Sequence, residues 1–190
     1  MSPSSTPISE VDALWAPLKH PVFRSLWIAT VISNLGTAMQ GVGAAWMLVE
    51  LQAGPTLIAL LQTASSLPIF LLGLPAGVLA DLVDRRRLLI VANVWMIIVG
   101  IVLAAGVYFS LIGAHALIFL TFALGLGAAL SAPAFQAIVP ELAAGPLLAP
   151  AVSLNSLGVN IARTIGPALG GLMGAATGPE GVFILDALST

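Results

Sequence analysis

Long apolar runs alternate along this chain with short polar breaks. The runs cover residues 26–49, 57–79, 88–108, 114–137 and 147–176. A helix needs about 20 mainly apolar residues to cross a bilayer, so the pattern predicts five membrane-spanning helices. The fifth run is long enough to tilt or to begin in the interface. A sixth apolar segment starts near Val182, and the sequence closes at Thr190. As helix, that segment reaches about 13 Å, less than half of a roughly 30 Å hydrocarbon core. The expectation is five full spans and a chain truncated within a sixth. A complete five-span protein with a short tail is the alternative.

Composition agrees with lipid as the solvent. Hydrophobic residues make up 59% of the chain and charged residues 7%, where a soluble domain carries about 25% charged residues. The mean hydropathy is +1.09. There is no cysteine, which excludes disulfides and thiolate metal sites. A net charge of -2 with no basic stripe excludes nucleic acid as a partner. No phosphate loop and no nucleophile–base–acid set is visible, so neither an enzyme nor a metal or cofactor site is expected. Residues 1–22 read as a polar N-terminal segment and residues 23–190 as the membrane bundle. Trp15 and Trp27 suit the headgroup level. Lys19 and Arg24 precede the first span, and Arg85, Arg86 and Arg87 separate the second from the third, while the alternate loops lack Lys and Arg. The positive-inside rule then places the N-terminus in the cytoplasm of a multi-pass protein of the cell (inner) membrane.

Several polar groups sit where lipid would not tolerate them. Arg163 lies mid-span, which costs about 2.5–3.5 kcal/mol on insertion scales unless it meets protein or a water-filled cavity. Helical spacing aligns it with Ser156, Asn160 and Pro167. The reading is a cavity contact to an anionic substrate or to an acid; a buried arginine satisfied by helix carbonyls is the alternative. Another face of the same span carries Gly158, Ala162, Gly166, Gly170, Gly174 and Gly178, a small-xxx-small stripe suited to close helix packing. Pro167 removes one backbone hydrogen bond and should loosen the helix locally. Asn34, Gln40 and Gln62 are candidate cavity-lining residues, with interhelical hydrogen bonds as the plainer role. Asp186 is a candidate coupling group for protons, although its place one turn into the sixth segment favours a shallow, hydrated carboxylate. His115 reads as an interfacial histidine.

The turn between the second and third spans holds the densest charge. Asp81 ends the second span, where the helix dipole disfavours an acid by roughly 0.3–1 kcal/mol. Compensation could come from Arg85 one turn on or from a neighbouring helix brought close at Gly77. Gly77, Leu79, Ala80 and Asp81, followed by Asp84, Arg85, Arg86 and Arg87, resemble the signature of the major facilitator superfamily, with Leu82 and Asp84 departing from it. SNLGTAMQ at 33–40, SAPAFQAIVPEL at 131–142 and NSLGVNIARTIGPALGG at 155–171 resemble its enterobactin, siderophore and drug exporter branch. The resemblance implies the N-terminal six-helix half of an all-α major facilitator fold. It also implies a conformational latch at Gly77, Asp81, Arg85 and Arg86, whose partner is the missing C-terminal half. The implied function is proton-driven antiport, the efflux of a small amphipathic molecule by alternating access. A non-transporting helix-packing module that offers the glycine stripe to a partner, or an inactive transporter fragment, is the alternative. A channel is weaker still, since no ring of like charges occurs.

Overall fold

A computed structural model describes the backbone of residues 14–142 and 145–189, and the side chains of those residues except 80–81 and 138–142. A 3-10 turn at Ala16–Lys19 leads into six α-helices: α1 Pro21–Glu50, α2 Pro55–Leu82, α3 Arg85–Tyr108, α4 Ala114–Leu142, α5 Leu148–Thr177 and α6 Pro179–Ser189. No strand occurs among the described residues.

Local chemistry sets the helix ends. Pro21, Pro55 and Pro179 open α1, α2 and α6, where a missing N–H is no loss and φ is already helical. Asp84 caps α3, accepting from the backbone N–H groups of Arg86 and Arg87 at 2.9 and 3.4 Å. The ends of α1 and α3 fold back in the same way. Ala53 N–H donates to Leu48 C=O at 2.9 Å, and Leu111 N–H donates to Gly106 C=O at 2.8 Å. Each turn passes through a positive-φ residue, Gln52 at 51° and Ser110 at 55°, which gives the six-to-one closure of a Schellman motif. Gly178 ends α5 at φ 78°. It is the cap of that helix, not a further member of the packing stripe expected from the sequence.

Within the first repeat, helices adjacent in sequence scarcely touch, and α4 scarcely touches α5. The extensive pairings are α2 with α4, α1 with α5, α3 with α4, and α6 with both α1 and α3. Exchanging α1–α3 for α4–α6 maps α1·α5 onto α4·α2 and α1·α6 onto α4·α3. That is the pattern of two interleaved three-helix repeats, and an odd helix number makes them inverted. The largest buried cluster joins Leu48, Leu61, Leu103, Leu117 and Phe183 from five helices. It sits at the end where α1 and α3 finish. At the arginine-bearing end the buried groups separate into Phe23, Ala151 and Leu154 between α1 and α5, and Leu88 with Ala134 between α3 and α4.

Within α2–α4, the segments Pro55–Leu79, Arg85–Tyr108 and Ala114–Ala137 are long and apolar enough to cross a membrane by length and composition. α1 and α5 have 30 residues each, but glycine and polar residues dilute their apolar character. These two helices are one another's main partner. Gly158, Ala162, Gly166, Gly170 and Gly174 are all buried. A methyl placed on Gly170 would lie 2.9 Å from Met39 Cα and 3.0 Å from its carbonyl oxygen, so two backbones meet there. α5 runs unbroken through Pro167; the local loosening expected from the sequence does not interrupt it, because packing on α1 holds both sides of the proline.

The seam gives a paired expectation. Gly170→Ala should destabilise the chain by roughly 1–3 kcal/mol, since backbone must move. Gly171→Ala, with nothing within 4 Å of the new methyl, should be neutral or stabilising by up to roughly 1 kcal/mol. Unfolding in mixed detergent micelles, followed by tryptophan fluorescence, separates the two; equal effects would contradict the seam.

Candidate functional site

The two faces of α5 divide the labour. Its small residues are consumed against α1, so the stripe is not available to a separate partner. The opposite face carries Ser156, Asn160, Arg163, Thr164 and Pro167, all exposed. Thr164 turns its hydroxyl back to Asn160 C=O at 2.8 Å. The alignment expected from helical spacing holds, and the guanidinium of Arg163 stands on an open surface of the six-helix unit.

Two tryptophans fasten helices of this bundle to one another. Trp27 Nε1–H donates to Leu154 C=O at 2.9 Å, and Trp95 Nε1–H donates to Ala123 C=O at 2.7 Å. Each carbonyl lies four residues before a glycine that makes room for the same ring. A methyl on Gly158 would stand 3.2 Å from Trp27 Nε1, and one on Gly127 would stand 3.0 Å from Trp95 Cδ1. Each lock ties one three-helix repeat to the other.

α2 presents a second open polar surface. Gln62, Thr63, Ser66, Leu67 and Phe70 line a shallow pocket of about 360 Å³. Thr63 and Ser66 satisfy their hydroxyls on Ala59 and Gln62 carbonyls of the preceding turn. Below it, Phe70 and Leu74 are 85% and 87% exposed, an outward face that water would reject.

Other candidate residues are placed differently. Asn34 is half-buried and donates to Thr30 C=O at 2.7 Å. Gln40 is buried on the α1 face that meets α6, so it lines no open surface of this unit. Asp186 is buried too, in place of the shallow, hydrated setting expected from its position in the sequence. α6 seats on α1 at Gly43 and Gly36: a methyl on Gly43 would lie 3.1 Å from Val182 Cγ1, and one on Gly36 3.2 Å from Asp186 Oδ1. That close fit excludes water from the carboxyl.

At the charged turn, Gly77 is half-buried with nothing within 4 Å of a methyl placed on it. No described residue occupies the space it leaves. The Asp81 side chain lies outside the described residues. Arg86 and Arg87 are exposed, and Arg87 Nε lies 3.9 Å from Asp84 Oδ2. No group of three or more metal-ligating side chains occurs among the described residues.

Residues 12–190 match the family of transmembrane secretion effectors, MFS_3. The chain belongs to the major facilitator superfamily. It is therefore an integral membrane protein. This facilitator chain is 29% identical over 155 residues to the staphyloferrin A transporter of Staphylococcus aureus, covering 81% of this chain and 39% of that protein. It is also 29% identical over 177 residues to the uncharacterized MFS-type transporter YfiS of Bacillus subtilis, covering 90% of this chain and 41% of that protein. It spans about two fifths of the length of these relatives. No solved structure matches it.

Sequence reasoning missed two features of this facilitator chain. Asp84 departs from the family signature, yet an Asp directly before a helical run is a readable N-cap signal. The tryptophan locks left no local signal, because each joins residues distant in sequence. Asp84→Ala should cost about 1 kcal/mol through loss of the cap. Asp84→Ser should recover most of it in the same unfolding assay; a Ser variant as weak as the Ala variant would assign the loss to charge.

Proposed function

We propose that this chain forms one six-helix bundle of a secondary transporter that exports a small amphipathic molecule by alternating access, driven by a proton gradient. One observation carries the reading: Arg163 stands on the open face of α5, opposite the seam that α1 fills. A mid-helix guanidinium facing acyl chains is costly, so that face belongs against water, substrate or a second bundle. An arginine suits an anionic group by charge and by its fork of donors. The staphyloferrin A transporter among the relatives favours a siderophore or drug-like cargo. Asn160 would supply a polar contact on the same face as the arginine, and Gln62 one on the polar surface of α2. The open space at Gly77 fits a latch in which Asp81, Arg85 and Arg86 meet a helix of the other bundle on the cytoplasmic side. The N-terminus would share that side, in the cell membrane.

The reading in which the chain is a passive packing module loses its contact surface, since the glycine stripe is spent within the bundle. In everted vesicles of the full transporter, Arg163→Ala should lower proton-driven flux at least tenfold, about 1.4 kcal/mol in the barrier, while insertion persists. Unchanged flux would remove Arg163 from the site. Asp81→Asn should slow turnover more than it weakens substrate binding; equal losses would count against the latch.

A further inference from the structure

Between α1 and α6 lies a polar island that the open face of α5 does not use. Asp186 and Gln40 are each 5% exposed. α6 runs antiparallel to α1, with Val182 against Gly43 and both Asp186 and Ser189 against Gly36. Gln40 falls between those two glycines on the same helical face. The register therefore places Gln40 and Asp186 on the facing sides of the same α1–α6 seam. The Gln40 Nε2 donors find no acceptor among the described residues, although a buried donor is normally satisfied.

We propose that Asp186 and Gln40 form a proton-binding site at the α1–α6 interface, and that its occupancy sets how firmly α6 seats on α1. This deepens the proton-driven reading above and rests on it for the coupling to transport. The chemistry of the pair suits the task. An amide can donate through Nε2 to a carboxylate, or accept through Oε1 from a protonated acid. A half-turn of the Gln40 amide thus serves both states, where a lysine or arginine would favour only the ionised one. The step itself is balanced. The carboxylate takes a proton from a hydronium ion, which leaves as water, and becomes a neutral acid; the reverse returns the proton to water as hydronium. The neutral acid stays packed against Gly36; the ionised form favours hydration, and α6 parts from α1 to supply it.

The neighbouring helices carry other charges. α1 carries Arg24 and Glu50 near its two ends, and α3 carries Arg85, Arg86, Arg87 and Tyr108 at its termini. Arg163 of α5 is exposed on the face away from α1, and Glu180 is in the first turn of α6.

Infrared difference spectra of the intact protein in lipid nanodiscs, recorded across pH, test the site through the carbonyl stretch of protonated carboxyl groups. A titrating band is expected. It should vanish in Asp186→Asn, shift its midpoint by about one pH unit in Gln40→Leu, and persist in Arg163→Ala. A band that survives Asp186→Asn, or a midpoint indifferent to Gln40→Leu, overturns the proposal. If Asp186→Asn fails to insert, Gln40→Leu carries the test alone. These spectra need no transport. A band sensitive to Gln40 in a protein that moves no substrate would sink the exporter reading and leave the proton site standing.

Discussion

Backbone contact at glycine is the constraint on which the rest of this structure depends. Lipid tails are as apolar as leucine, so no hydrophobic force presses helices together within a bilayer. Close approach must supply the attraction through many weak dispersion contacts. Gly170 against Met39, Gly43 against Val182 and Gly125 against Pro68 are the points where it does. Each joins a helix of the first repeat to one of the second. The repeats are therefore not two domains in contact but one interleaved body, and neither has a core of its own.

That economy frees the remaining faces. Because α5 spends only its small side on α1, its polar side stays uncommitted. α2 does the same with Gln62, Thr63 and Ser66. α6 behaves differently: its Asp186 carboxyl is turned inward, onto Gly36 of α1. Among the described residues, Arg163 is thus turned outward and Asp186 inward.

Much of the fold was legible in the sequence, for physical reasons. Apolar length reports spans directly, and the four-residue spacing of Gly158 through Gly174 reports a seam on α5. Arg163 was readable as anomalous because charge in a greasy run has few tolerable settings. What the sequence withheld was pairing. Nothing local says that Trp27 reaches Leu154, or that Gln40 lies under α6. Asp186 was misjudged for the same reason: distance along the chain from a helix end measures depth in the membrane, but not cover by a neighbouring helix. Gly178 was counted into the seam by spacing alone, and only its backbone angle identifies it as the stop.

The uneven distribution of the core has a mechanical consequence. Five helices are pinned together around Phe183 and Leu48, whereas the described residues of the arginine-bearing end form two separate small clusters. In the alternating-access reading such a body would work like tongs, a slight tilt at the pinned end becoming a wide excursion at the other. Compliance would then be concentrated at the arginine-bearing end, with the hydrogen-bonded Gln52 and Ser110 turns closing the pinned one.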